Sequence, residues 1–221
     1  MNMTVVIPTL CLPPTTWFNY LLSELQKTAL VSDVLVLNNG RIPIREKYSV
    51  PEKVFEIRNI PPLGVNASWN HGARLCKTSL FLLLNDDILC SSSVFTEAVQ
   101  TMNLRPEIGL LTIATENSRT ITPEAYHAAD PFQASQRITF NDRRSGWFML
   151  LRTALWKPID QKLVTFYGDD LIWARVRKVA LAGCLQHRKI VHWRRLSTSK
   201  RKSRGPADRM VWKEIKETEG L

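Results

Sequence analysis

Five consecutive large apolar residues, Leu80–Leu84, run directly into Asn85-Asp86-Asp87. A short unbroken apolar run closed by a polar turn reads as a strand buried on both faces. Such a strand must be covered above and below, which restricts the chain to a sheet sandwiched between helices. No apolar run in the 221 residues is longer, Trp147–Leu151 equalling it at five. That is far short of the ~18 residues needed to cross a bilayer, so no membrane span is expected.

Strand-like and helix-like stretches alternate on either side of it. MTVVIPTL (3–10), VLVLNNG (34–40) and VFEIRNI (54–60) are β-branched or alternating runs closed by turn residues. Between them, residues 15–30 place Trp17, Leu21, Leu25 and Leu30 at helical spacing, and 65–76 reads as a second helix. A helix over 93–104 and a strand over 108–114 follow. The stretch 115–145 shows no periodicity and is expected to be a long loop, a binding loop or a lid. A strand at 146–152, a helix at 170–181, a short strand at 189–193 and a helix at 206–217 complete the pattern. The fold class expected is α/β: a mostly parallel, Rossmann-like sheet flanked by helices in a single domain over 1–198, with a basic extension over 199–221.

In such sheets ligands sit beyond the carboxyl ends of the strands. The residues there are Pro8-Thr9, Asn38-Asn39-Gly40 and Asn85-Asp86-Asp87, all polar or conformationally special. Two adjacent carboxylates after a buried strand are costly unless solvent, a base or a metal offsets them. Hard divalent cations take such oxygens and share their shell with substrate phosphates. A second pair, Asp169-Asp170, follows Gly168 at a helix start, where capping explains one carboxylate more easily than both. His192 stands in a short strand beside Arg194 and Arg195.

The chain carries a formal net charge of +10, and residues 181–221 hold eleven basic and four acidic residues. A charge concentrated in this way points to a polyanionic partner. Cysteines 11, 76, 90 and 184 form no CxxC pair, so neither a zinc site nor a disulfide framework is expected; they read as free thiols of a reducing compartment. The N-terminus has no basic segment or cleavage site of the secretory kind, so a cytoplasmic location is expected.

Taken in order, these pieces resemble the family 2 glycosyltransferases of the GT-A fold over residues 3–198. VVIPTL and VLVLNNG resemble that family's first two strands, and GVNASWNHGARL its helix beneath the nucleotide. LLLNDDI resembles the aspartate-x-aspartate metal motif, GWFMLLR the acceptor-side strand, FYGDDLIWARVRKVALAG the segment with the catalytic base, and VHWRRLST the late histidine segment. The resemblance implies a metal-dependent, inverting glycosyltransferase using Mn²⁺ or Mg²⁺ and a nucleotide sugar, with a UDP-sugar as donor. It implies metal contacts at Asp87, Asp86 and His192, and donor contacts at Pro8, Thr9, Asn38, Asn39, Asn66, Asn70, Asn85 and Asp86. Gly146 and Trp147 fall on the acceptor side. Asp169, six residues before Arg175, matches the base, with Asp170 the near alternative. Asn38 departs from the family's usual aspartate.

The acceptor is expected to be DNA carrying a hydroxymethyl-pyrimidine. Arg194, Arg195, Lys200, Arg201, Lys202 and Arg204 would follow the phosphate backbone, with Trp147, Trp173 and Trp193 offering a stacking surface. Compact bacteriophage enzymes of this kind look similar, which would place the protein in the host cytoplasm. The alternatives are a cell-surface glycan or glycolipid acceptor, a nucleotidyltransferase, a metal-dependent nuclease and a nucleic-acid binding module. PTLCLPPTT is not the Gly-rich loop of a nucleotidyltransferase. A nuclease would leave the ordered PTL, NNG and VHW segments unexplained, and a binding module the two acidic pairs.

Overall fold

A computed structural model describes residues 1–118, 120–129, 138–140, 146–193 and 205–221. The strands are β1 (Met3–Thr9), β2 (Val31–Asn38), β3 (Val54–Arg58), β4 (Leu80–Leu84), β5 (Ile88–Leu89), β6 (Ile108–Asn117), β7 (Ile138–Phe140), β8 (Phe148–Arg152) and β9 (Leu181–His192). The helices are α1 (Thr15–Lys27), α2 (Val65–Leu75), α3 (Ser92–Leu104), α4 (Pro123–Ala129), α5 (Gly168–Arg177) and α6 (Gly205–Glu219). The strands form one sheet in the order β3-β2-β1-β4-β8-β6-β9-β5, with β7 pairing on β9.

The β3-β2-β1-β4 half is parallel; α1 makes the crossover from β1 to β2 and α2 the crossover from β3 to β4, whereas β2 and β3 are joined without an α-helix. Beyond β4 the sheet is mixed: β8 runs antiparallel to both β4 and β6, while β6 and β9 are parallel. Side chains along the central strands alternate between two cores. Met3, Val5, Ile7, Leu80, Leu82 and Leu84 face α1 and α3, whereas Val6, Phe81 and Leu83 face α2 and α5. All five residues of β4 are fully buried, each contributing about 1.5–3 kcal/mol by burial. The unbroken apolar run thus occupies the centre of the sheet.

Three segments differ from expectation. The stretch read as one long loop contains α4 and β7, whose short lengths leave no periodicity to detect. The helix expected to reach residue 181 ends at Arg177, because Leu181 already pairs with Ile108. The strand expected at 189–193 is the end of the 12-residue β9, whose register against β6 shifts after Leu185 and hides the continuity. α6 packs on the α2–α5 side of the sheet through Ile215, Val211 and Trp212. Cys11, Cys76, Cys90 and Cys184 form no disulfide among the described residues. Among the described residues no helix is long and apolar enough to cross a membrane.

Candidate functional site

The topology gathers distant segments at one edge. β2, β1 and β4 are parallel neighbours, so Thr9, the Asn38-Asn39 turn and Asn85-Asp86-Asp87 emerge together. Because β8 is antiparallel to β4, the residues before it arrive at that same edge: Asn85 N donates to Trp147 O at 3.1 Å. β5 pairs antiparallel with β9, setting Ile88 opposite His192, and Trp193 N donates to Asp87 O at 2.8 Å. The result is a cleft of about 410 Å³. Pro8, Thr9, Asn39, Asn85, Asp86, Asp87, Gly146, Trp147, Asp169 and Asp170 all line it.

The two carboxylates after β4 have separate environments. Thr9 Oγ1 donates to Asp86 Oδ2 at 2.6 Å. Burial, and secondarily the charge of Asp87, push the Asp86 carboxyl up to about 7. Asp87 is buried, and its Oδ1 accepts no hydrogen bond but lies 3.3 Å from His192 Nε2. His192 Nδ1 stands 3.2 Å from Asn117 Oδ1, and the imidazole is stacked on Trp147 with centroids 4.0 Å apart and planes 13° apart. In the tautomer whose Nδ1–H donates to Asn117 Oδ1, Nε2 is left as a lone pair toward Asp87. An unpartnered carboxylate oxygen facing an imidazole lone pair is a donor set that fits a divalent cation. Two protein ligands leave the remaining positions to diphosphate oxygens and water, the usual way Mg²⁺ is held. Among the described residues no larger cluster of metal-binding side chains exists.

Across the cleft, α5 begins at Gly168 with Asp169 and Asp170 in its first turn, where the helix dipole favours negative charge. Asp169 Oδ2 accepts the Gly146 N–H at 3.1 Å. A Cβ on Gly146 would lie 2.6 Å from Asp169 Cβ, so only glycine allows this approach. Gly168 is equally confined, since a Cβ there would stand 2.1 Å from Asn66 Oδ1.

Three other expected donor contacts stand outside the lining. Asn38 is buried; its amide donates to Glu56 Oε1 at 2.6 Å and Ile42 O at 2.8 Å, and its Oδ1 accepts Gly40 N at 2.7 Å. An aspartate at 38 would face the Glu56 carboxylate at that distance, which accounts for the amide. Asn66 donates to Leu163 O at 2.9 Å, and Asn70 exchanges two 2.8 Å bonds with the Ile159 backbone. Both therefore fasten α2 to the loop before α5. Asn39, which does line the cleft, accepts Asn59 Nδ2 and Leu63 N and donates to Ser68 Oγ, tying β2 to β3 and α2. Trp173 is buried in the core and Trp193 packs edge-on against Trp17 at 4.8 Å, leaving Trp147 as the tryptophan of that trio on the cleft. Arg194, Arg195, Lys200, Arg201, Lys202 and Arg204 lie outside the described residues.

Asn117, Trp69, Thr165, Phe166 and Tyr167 were not expected at the site. The last four line the cleft, and Asn117 reaches it only through the β6–β9 pairing. None carries a local pattern that separates it from an ordinary strand, helix or loop residue.

No protein-family model matches the chain, and no curated protein matches it in sequence. Solved structures do. A crystal structure of S. aureus TarS 1–349 in complex with UDP superposes with a TM-score of 0.62 at 13% identity, covering 87% of this chain and 60% of that one. TarS 1–349 in complex with UDP-GlcNAc gives 0.61 at 15% identity, over 88% and 59%. GalNAc-T7 with UDP, GalNAc and Mn²⁺ gives 0.60 at 10% identity, over 89% and 44%. The chain thus spans well under two thirds of these proteins and has the GT-A fold.

Proposed function

We propose that this protein is a metal-dependent, inverting glycosyltransferase that uses a nucleotide sugar, with a UDP-sugar as donor. One observation carries the reading: a GT-A sheet brings Asp86-Asp87 and Asp169-Asp170 to one cleft from segments more than 80 residues apart in sequence, with His192 standing against Asp87. The likeness to structures holding UDP, UDP-GlcNAc and Mn²⁺ supports the donor and the cation. Family 2 remains a resemblance carried by the motifs.

In this reading Thr9, Asp86 and Asn39 form the donor floor. Asp87 and His192 hold the divalent cation, which when bound supplies positive charge to the diphosphate leaving group. Asp169 accepts the proton of the acceptor hydroxyl while that oxygen bonds to the anomeric carbon and the bond to the diphosphate breaks. The proton passes from Asp169 to solvent. A single base acting opposite the leaving group inverts the anomeric centre. Gly146 keeps the Asp169 carboxylate in place, and Trp147 forms the acceptor wall.

The acceptor in this proposal is DNA bearing a hydroxymethyl-pyrimidine. Nine of the residues from Arg188 to Arg209 are basic and one is acidic, a stretch that begins in the last residues of β9 and runs into α6. Such a stripe suits a phosphate backbone. The test is retention on hydroxymethylated DNA between ~50 and ~200 mM salt, together with sugar transfer to it. Binding should weaken steeply across that range, and neutralising Lys200, Arg201 and Lys202 should flatten the slope. Transfer to a soluble glycan or glycolipid with no retention on DNA would overturn the acceptor while leaving the glycosyltransferase reading intact.

A further inference from the structure

The C-terminal helix α6 reaches the loop before α5 through one buried carboxylate. Asp208, 2% exposed, lies in its first turn, and its Oδ2 accepts the backbone N–H of Thr165 at 3.0 Å and of Phe166 at 2.8 Å. Both of those residues line the cleft. An ionised carboxylate is expensive to bury unless hydrogen bonds satisfy it. Two backbone donors on one charged oxygen are among the stronger contacts available to a loop, so helix and loop fix one another.

The next residue is under backbone strain. Tyr167 has φ 61, in the left-handed region that a bulky side chain enters only when its surroundings impose it. It is the residue that turns the chain into α5. α6 supplies part of what holds it: the Tyr167 ring stacks on Trp212 with planes 10° apart, and Arg209 Nε donates to its hydroxyl at 3.2 Å. At the other end of α5, Arg175 Nε donates to Glu219 Oε2 at 2.9 Å. α6 therefore grips α5 before its first turn and again near its last, and the first turn carries Asp169.

We infer that Asp208 is a positioning residue that, through residues 165–167, sets where the Asp169 carboxylate stands against Gly146. The positional statement rests on the hydrogen bonds above; its consequence for turnover rests on the reading of Asp169 as the base. Nothing in the sequence around residue 208 signals this role.

The test combines amide hydrogen exchange by NMR with steady-state kinetics on the full-length Asp208→Asn protein, which keeps the side-chain volume and removes the charge. Exchange at Thr165, Phe166 and Gly146 should speed up at least tenfold, while amides of β1 and β4 exchange as before. Turnover should fall about tenfold with the donor KM within a factor of two, since Thr9, Asp86 and Asp87 are untouched. A purely structural role for α6 would loosen Thr165 and Phe166 but not Gly146, which is bonded to Asp169 and not to α6. Unchanged exchange at Gly146 would overturn the inference whatever the turnover. Should Asp169→Asn retain full turnover, the base reading fails instead, and exchange at Gly146 still decides the positional claim.

Discussion

Replacing Gly146 with alanine perturbs the Asp169 carboxylate by the smallest available change. The added Cβ would stand 2.6 Å from Asp169 Cβ, 3.2 Å from Cγ and 3.3 Å from Oδ2. Carbon–carbon contacts are most favourable at about 3.5–4.0 Å, so the pair must separate by about 1 Å. The obstructing atom is a Cβ on the first turn of a helix, which moves only with its backbone. Overpacking of this kind costs about 1–3 kcal/mol, within the stability of a folded domain, so the variant should fold. A misplacement of about 1 Å at a catalytic group costs ~10² in rate. Initial-rate kinetics should therefore show turnover reduced about a hundredfold, with the donor KM nearly unchanged and a cooperative melt retained. Wild-type turnover in Gly146→Ala would refute the reasoning, because it would mean that Asp169 need not sit against residue 146.

Three further outcomes follow from the cleft. Asp87→Ala should abolish Mn²⁺-dependent donor binding while leaving the far-ultraviolet circular dichroism intact; cation-dependent activity at the normal level would remove Asp87 as a ligand. Asp169→Asn should preserve donor binding and lower turnover by ~10²–10⁴, and the same loss in Asp170→Asn alone would move the base by one residue. The Asp86 carboxyl keeps its proton in the folded state up to about 7, against 3.8 as its ordinary value. The unfolded chain releases that proton earlier, so this group removes stability as pH rises from about 4 to about 7. In buffer free of divalent cations, Asp86→Asn should raise the melting temperature more at pH 8 than at pH 5; an equal shift at both would contradict the buried-carboxylate account.

The parallel half of the sheet was legible because its signals are local. A β-branched or aliphatic run ended by a turn residue names its own strand, and β1, β2, β3 and β4 each have one. The two acidic pairs were legible for the same reason: each stands at the end of an element, where position carries chemical meaning. What pairs with what beyond β4 was not legible. The insertion of β8 between β4 and β6 is a long-range choice, and it is this choice that delivers Gly146 and Trp147 to the cleft. Only the end of β9 was read as a strand, because its register shift breaks the alternation, and α4 is too short to show a period. Asn66 and Asn70 show how a motif fixes an address but not a partner: the helix was placed correctly, yet its amides hold the loop at 159–166. Asp208 shows the reverse, a residue of no apparent pattern whose surroundings give it two backbone donors.

The most direct test of the central claim is calorimetric titration of the metal-free protein with UDP and UDP-sugars in Mn²⁺ or Mg²⁺, repeated in EDTA and with Asp87→Ala. Saturable binding of UDP that requires the cation and disappears in Asp87→Ala is the result expected of a cleft in which Asp87 and His192 hold a divalent ion against a nucleoside diphosphate. Absence of binding for every UDP compound in both cations, or equal binding in EDTA and in Asp87→Ala, would contradict it.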